Sequence, residues 1–101
     1  MIVRTHARAD EELAGAIQYY HRVGGADLAV RFLKTFDAAM TRIGADPESL
    51  PIFYETVRFG PVRRCPLGRP WPYDALFTVA RNAVAVVSVW HHRRDPKDRP
   101  V

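Results

Sequence analysis

Tyr73-Asp74-Ala75-Leu76-Phe77-Thr78-Val79-Ala80-Arg81-Asn82-Ala83-Val84-Ala85-Val86-Val87-Ser88-Val89-Trp90-His91 holds two runs rich in β-branched and aromatic residues, separated by a two-residue break. Arg81-Asn82 has the length of a tight hairpin loop, and Asn is able to take positive φ. Counting outward from that loop sets Ala80 opposite Ala83, then Val79–Val84, Phe77–Val86, Ala75–Ser88 and Tyr73–Trp90. Alternation places the last four pairs on one face, which is the more aromatic and should meet the helices. The other face, with Asp74, Leu76, Thr78, Val87, Val89 and His91, should look outward. A one-residue slip would exchange the two.

Working back toward the start, the texture changes. Seven of the eight prolines lie after residue 50, and Val57 to Leu67 contains at least one strand interrupted near Gly60-Pro61. Before residue 50 the period is helical. Ala29, Phe32, Leu33, Phe36, Ala39, Met40 and Ile43 mark one face of a helix, with Gly44 at the cap position and Pro47 blocking continuation. Ala9, Leu13, Ala16, Ile17 and Tyr20 mark another, whose first turn carries Asp10, Glu11 and Glu12 at the positive end of its dipole. Gly24-Gly25 joins the two helices, so they should run antiparallel. Ile2 to Thr5 reads as a short first strand. The expectation is an α+β fold of order β-α-α-β-β-β, a helical hairpin packed on a small antiparallel sheet, as a single domain over residues 1–101.

Composition narrows the class. At 101 residues, 48% hydrophobic and 26% charged, the chain is of globular type. No apolar run approaches the ~20 residues of a membrane span, and the first residues lack a secretory apolar core, so a cytoplasmic protein is expected. Cys65 is alone, which excludes an internal disulfide or a cysteine-based zinc site. Phosphate-loop, dinucleotide and His-Glu zinc patterns are absent, and no cofactor or metal is implied. Residues 1–50 carry six Lys/Arg against seven Asp/Glu, and residues 51–101 carry nine against four. Thirteen of the fifteen bases are arginine. Guanidinium forks match carboxylate and phosphate oxygens, so the second half suits an acidic peptide or protein surface, unless it is simply a solvated basic face.

The last apolar strand closes on His91-His92-Arg93-Arg94-Asp95-Pro96. This ending, with the helical hairpin closing at Asp46-Pro47, the Arg63-Arg64 strand and the Trp71-Pro72-Tyr73 strand entry, resembles the RelE/ParE superfamily of toxins from type II toxin–antitoxin modules. The likeness runs roughly from Thr5 to Pro96 and leans to the ParE branch. It implies a cognate antitoxin whose C-terminal segment wraps the toxin, and inhibition of DNA gyrase by binding. Direct DNA binding without the antitoxin is not expected. The candidate contacts for antitoxin or target are Arg63, Arg64, His91, Arg93 and Arg94.

The RelE branch implies instead cleavage of messenger RNA, which needs a base, an acid and cations for the phosphate. Only Arg64, His91 and Arg94 could serve. The lysine-rich site of many RelE-like enzymes has no counterpart, and Trp90 stands near where those enzymes place a tyrosine. Binding is therefore the favoured reading and endoribonuclease the alternative. A plain nucleic-acid-binding module is a third, marked by steep salt dependence. One departure from the family pattern is visible: the aromatic residue that often follows Asp-Pro is replaced by Lys97-Asp98-Arg99-Pro100-Val101.

Overall fold

Gly25 turns the helical half of the chain back on itself. A computed structural model describes all 101 residues, in which α1 spans Ala7–Ala45 and is broken at Gly25, with φ 78° and ψ −174°. Thirty-nine helical residues in line would reach about 58 Å, whereas the longest dimension of the molecule is 39 Å. The two arms, residues 7–24 and 26–45, instead face one another, with the Tyr20 and Phe32 rings 4.9 Å apart. The Gly25 conformation is open essentially to glycine alone. A Cβ on the preceding Gly24 would meet the Leu28 side chain at 2.3 Å. Replacing Gly25 by Val should cost about 1–3 kcal/mol by urea denaturation. An unchanged midpoint would mean that the turn has an equally good alternative.

The strands are β1 (Ile2–Thr5), β2 (Ile52–Thr56), β3 (Gly60–Pro66), β4 (Tyr73–Val79) and β5 (Ala83–His91), in sheet order β1-β5-β4-β3-β2. The expected element order gains one strand. The stretch after Leu50 is a hairpin, β2 and β3, and Gly60 opens β3 rather than interrupting it. The sheet is also mixed, since β1 runs parallel to β5 while every other pairing is antiparallel. Gly44 is no cap: α1 continues to Ala45, and the missing side chain lets β1 approach, with Val3 Cγ2 3.1 Å from where a Cβ would stand.

The β4–β5 register follows the count from the turn through Val79–Val84 and Phe77–Val86, then slips. An extra residue in β5 at Val87 makes Leu76 oppose Ser88, Ala75 oppose Val89 and Tyr73 oppose His91. Alternation resets there. Val86 and Val89 both join the core under the helices, while Val87 and Trp90 lie on the other face. The expected Tyr73–Trp90 pair is thus replaced by Tyr73–His91. Asn82 does not use positive φ, which no non-glycine residue adopts.

The main core joins Ala9 and Ala16 of the first arm and Phe32, Phe36, Ala39 and Ile43 of the second to Phe77, Val84, Val86 and Val89 of the sheet. Leu33 belongs to the helical stripe in sequence, yet remains 38% exposed. The outer face of the sheet is not bare as expected. Val62, Leu76, Val87 and Trp90 form a second buried cluster flanked by Phe53, Tyr54 and Phe59. β2 supplies two of those aromatic rings, and residues 96–101 fold back against them. No helix is long and apolar enough to cross a membrane.

Candidate functional site

β1 stops pairing at Val86, but β5 runs on to His91. Beyond Val86 the edge of β5 is flanked by the first arm of α1, and a cleft of about 620 Å³ opens there. Small residues, Gly15 and Ala16, line the helix side, with Tyr19, Tyr20, Tyr73, His91 and Arg94 around them.

Glu12 ties the two walls together. Its Oε1 accepts from Ser88 Oγ at 2.7 Å and from the Val89 amide at 3.1 Å. That amide is the donor the β5 edge would otherwise leave unmatched. Its Oε2 takes the Arg94 guanidinium and lies 3.5 Å from Arg8 Nε. Sequence reasoning read Glu12 as a helix-dipole carboxylate. The available signal was Ser88, a lone hydroxyl within an apolar strand, and such a group needs a partner when buried.

The aromatic wall is equally ordered. Tyr20 packs edge-on to Trp71 at 4.9 Å, Phe32 lies 5.5 Å from Tyr73, and Tyr73 meets the His91 ring at 5.0 Å. Burial pushes the Tyr20 and Tyr73 phenols above their ordinary pKa, so both are protonated at neutral pH. Tyr19 is 47% exposed and lies under the Arg22 guanidinium.

At His91, burial first, then His92, Arg93 and Arg94, lower the pKa from 6.5. Its Nδ1 accepts from the Arg93 amide at 3.0 Å, which places the proton of the neutral ring on Nε2. The imidazole therefore faces the cleft as an uncharged donor, and its accepting nitrogen is already occupied.

The candidate arginines separate. Arg94 stays at the cleft, paired with Glu12 and stacked 4.8 Å over the Trp90 ring. The Arg93 side chain is exposed and has no ion pair, so its contribution to the site as found is its amide. Arg64 lies on the outer face, over Phe53 at 4.9 Å and 3.8 Å from Asp74. Asp74 is 3% exposed and also meets His92 at 3.0 Å, a link that sequence reasoning did not anticipate. Arg63 faces the other way and donates to the Leu50 carbonyl at 2.6 Å and the Glu48 carbonyl at 3.2 Å, pinning the turn that leads into β2. His91 and Arg94 come together, while Arg64 is across the sheet from His91.

A helical hairpin laid on one face of a five-stranded sheet, with a histidine- and arginine-bearing strand end beside an open cleft, makes a small two-layer α+β protein. The chain belongs to the ParE family, described as the ParE toxin of the type II toxin–antitoxin system parDE, whose family model matches residues 3–96. In fold it is similar to a solved chain from the chromosomal ParDE toxin–antitoxin system of P. aeruginosa. The two are 15% identical, the match covers 90% of this chain and 95% of that one, and the TM-score is 0.73. No curated protein matches the sequence.

Proposed function

We propose that this ParE-family toxin arrests growth by binding DNA gyrase in the cytoplasm, with no chemistry of its own. A cognate antitoxin holds it inactive through a C-terminal segment that wraps the toxin. The observation that carries binding over RNA cleavage is that the cleft holds no free base and no free cation: His91 Nδ1 is engaged by the Arg93 amide and Arg94 by Glu12, while Arg64 lies across the sheet. Cleavage by 2′-hydroxyl attack needs a free base and a phosphate-binding cation on the same side. In this reading His91, Arg93 and Arg94 meet the partner at the cleft mouth and Arg64 meets it on the outer face. Arg63 acts through its hold on the Glu48–Leu50 turn. An acidic, partly disordered antitoxin segment is the natural match for this rim, since it folds as it binds and its carboxylates fit guanidinium groups. The toxin alone binds no DNA in this reading.

Induction of the chain in a bacterial host, with DNA supercoiling and transcript integrity followed together, tests the proposal. Growth arrest with lost supercoiling and intact transcripts is the expected result. His91→Ala should keep toxicity within about threefold, since it removes one uncharged donor from a wide contact surface. Rapid transcript fragmentation that the same substitution abolishes would replace this reading with the endoribonuclease one.

A further inference from the structure

Among the buried side chains of the core only Ser88 and Asp74 are polar. Ser88 is matched by Glu12, which leaves Asp74, 3% exposed, as the one charged group among them. Its two oxygens are engaged separately. Oδ1 meets His92 Nε2 at 3.0 Å, and Oδ2 lies 3.8 Å from Arg64 Nη1. A carboxylate only accepts, so His92 Nε2 is the donor. The His92 amide donates to the Pro72 carbonyl at 2.9 Å, which fixes the backbone beside this contact. The β3–β4 register sets Arg64 opposite Leu76 and Pro66 opposite Asp74, so Arg64 and Asp74 are diagonal neighbours on the outer face. The Arg64 guanidinium also lies 4.9 Å over the Phe53 ring.

Stability does not account for a carboxylate at this position. Burying a charge costs free energy that only close, well-matched partners offset. The Arg64 and His92 side chains are 41% and 48% exposed, and a separation of 3.8 Å is a loose ion pair that water screens. What the arrangement does provide is direction. His92 holds one oxygen and keeps the carboxylate from turning, the other oxygen faces Arg64, and Phe53 sets the guanidinium plane. We propose that Asp74 is a positioning residue for target binding, which aims Arg64 outward as an oriented guanidinium fork for a carboxylate on gyrase. The inference rests on the reading that Arg64 meets the target on the outer face, and it adds the residue that sets Arg64 there. A guanidinium has five N–H donors, so one directed at Asp74 leaves a pair for a bidentate contact with a carboxylate. A fork already oriented avoids the ordering cost that a free arginine side chain meets on binding.

The test is inhibition of supercoiling by purified gyrase, titrated with the full chain and with its Asp74→Asn, Arg64→Ala and doubly substituted variants. Asn keeps the shape and an accepting oxygen for His92 but lacks the charge that faces Arg64. Asp74→Asn should weaken inhibition about fivefold and Arg64→Ala about tenfold. The double variant should match Arg64→Ala within about twofold, because Asp74 acts through Arg64. A purely structural role would instead carry the full Asp74→Asn loss into the Arg64→Ala background. Arg64→Lys keeps the charge without the fork, and should lose as much inhibition as Arg64→Ala. Asp74→Asn or Arg64→Ala as potent as the parent would overturn the proposal, and so would additive losses in the double variant. Full potency in Arg64→Lys would overturn it as well, and that variant decides the matter if Asp74→Asn fails to fold. A parent chain that leaves gyrase uninhibited would remove the gyrase reading itself, and this inference with it.

Discussion

Glu12→Ala should destabilise the protein by about 3 kcal/mol, a large share of the 5–15 kcal/mol typical of a domain this size. The reason is what the substitution leaves behind. Ser88 is fully buried, and its hydroxyl and the Val89 amide both donate to the same carboxylate oxygen. Stranding a buried donor costs ~1–3 kcal/mol. The ion pairs to Arg8 and Arg94 add less, because both guanidinium groups are more than one-third exposed and water screens them. Glu12→Gln keeps an accepting oxygen and should recover at least half of the loss. A cycle with Ser88→Ala separates the terms. Ser88→Ala removes a donor together with its need, so the double variant should be about 1 kcal/mol less damaged than the sum of the singles. Urea unfolding measures all four chains. A Glu12→Ala midpoint indistinguishable from the parent would show that water replaces the carboxylate and that the β5 edge does not depend on it.

The part of this arrangement that sequence reasoning reached is the part that rests on period and punctuation. The stripes through Phe32, Phe36 and Ile43, and the break at Gly24-Gly25, depend on local spacing and are visible one element at a time. So is the start of the β4–β5 count, which holds from the turn as far as Phe77–Val86. What lay out of reach depends on groups distant in sequence. The bulge at Val87 has no signature in a run of valines, yet it moves Trp90 to the outer face and brings His91 beside Tyr73. Glu12 and Ser88 are 76 positions apart. Neither one, taken alone, names the other. Arg63 and Arg64 illustrate the same limit: alternation separates them, but only the placement of Asp74 and of the Leu50 carbonyl shows what each engages.

Phe32→Ala should be the most damaging single truncation at the cleft, costing about 3–5 kcal/mol. Phe32 is fully buried and lies against three rings at once, 4.9 Å from Tyr20, 5.2 Å from Trp71 and 5.5 Å from Tyr73. These contacts join the second helical arm to the cleft wall, so the void would open directly behind Tyr20 and Tyr73. Phe36 is also buried, at 4% exposure, but has no ring neighbour among these, so Phe36→Ala should cost a similar amount without disturbing the cleft. Alkaline titration tells the two apart. In the parent, burial raises both phenols, so the folded state holds their protons to higher pH than the unfolded chain does. The stability that this contributes is fully present below the unfolded pKa of 10.0 and is lost as pH climbs through the raised values. Water entering the Phe32→Ala void should bring the Tyr20 and Tyr73 titrations back toward that ordinary value, while Phe36→Ala should leave them raised. The same split should appear in binding: a partner seated on Tyr19, Tyr73 and His91 loses its ordered wall with Phe32 and keeps it with Phe36. Raised phenol titrations surviving in Phe32→Ala would mean that Trp71 and the first helical arm hold the wall without support from the second.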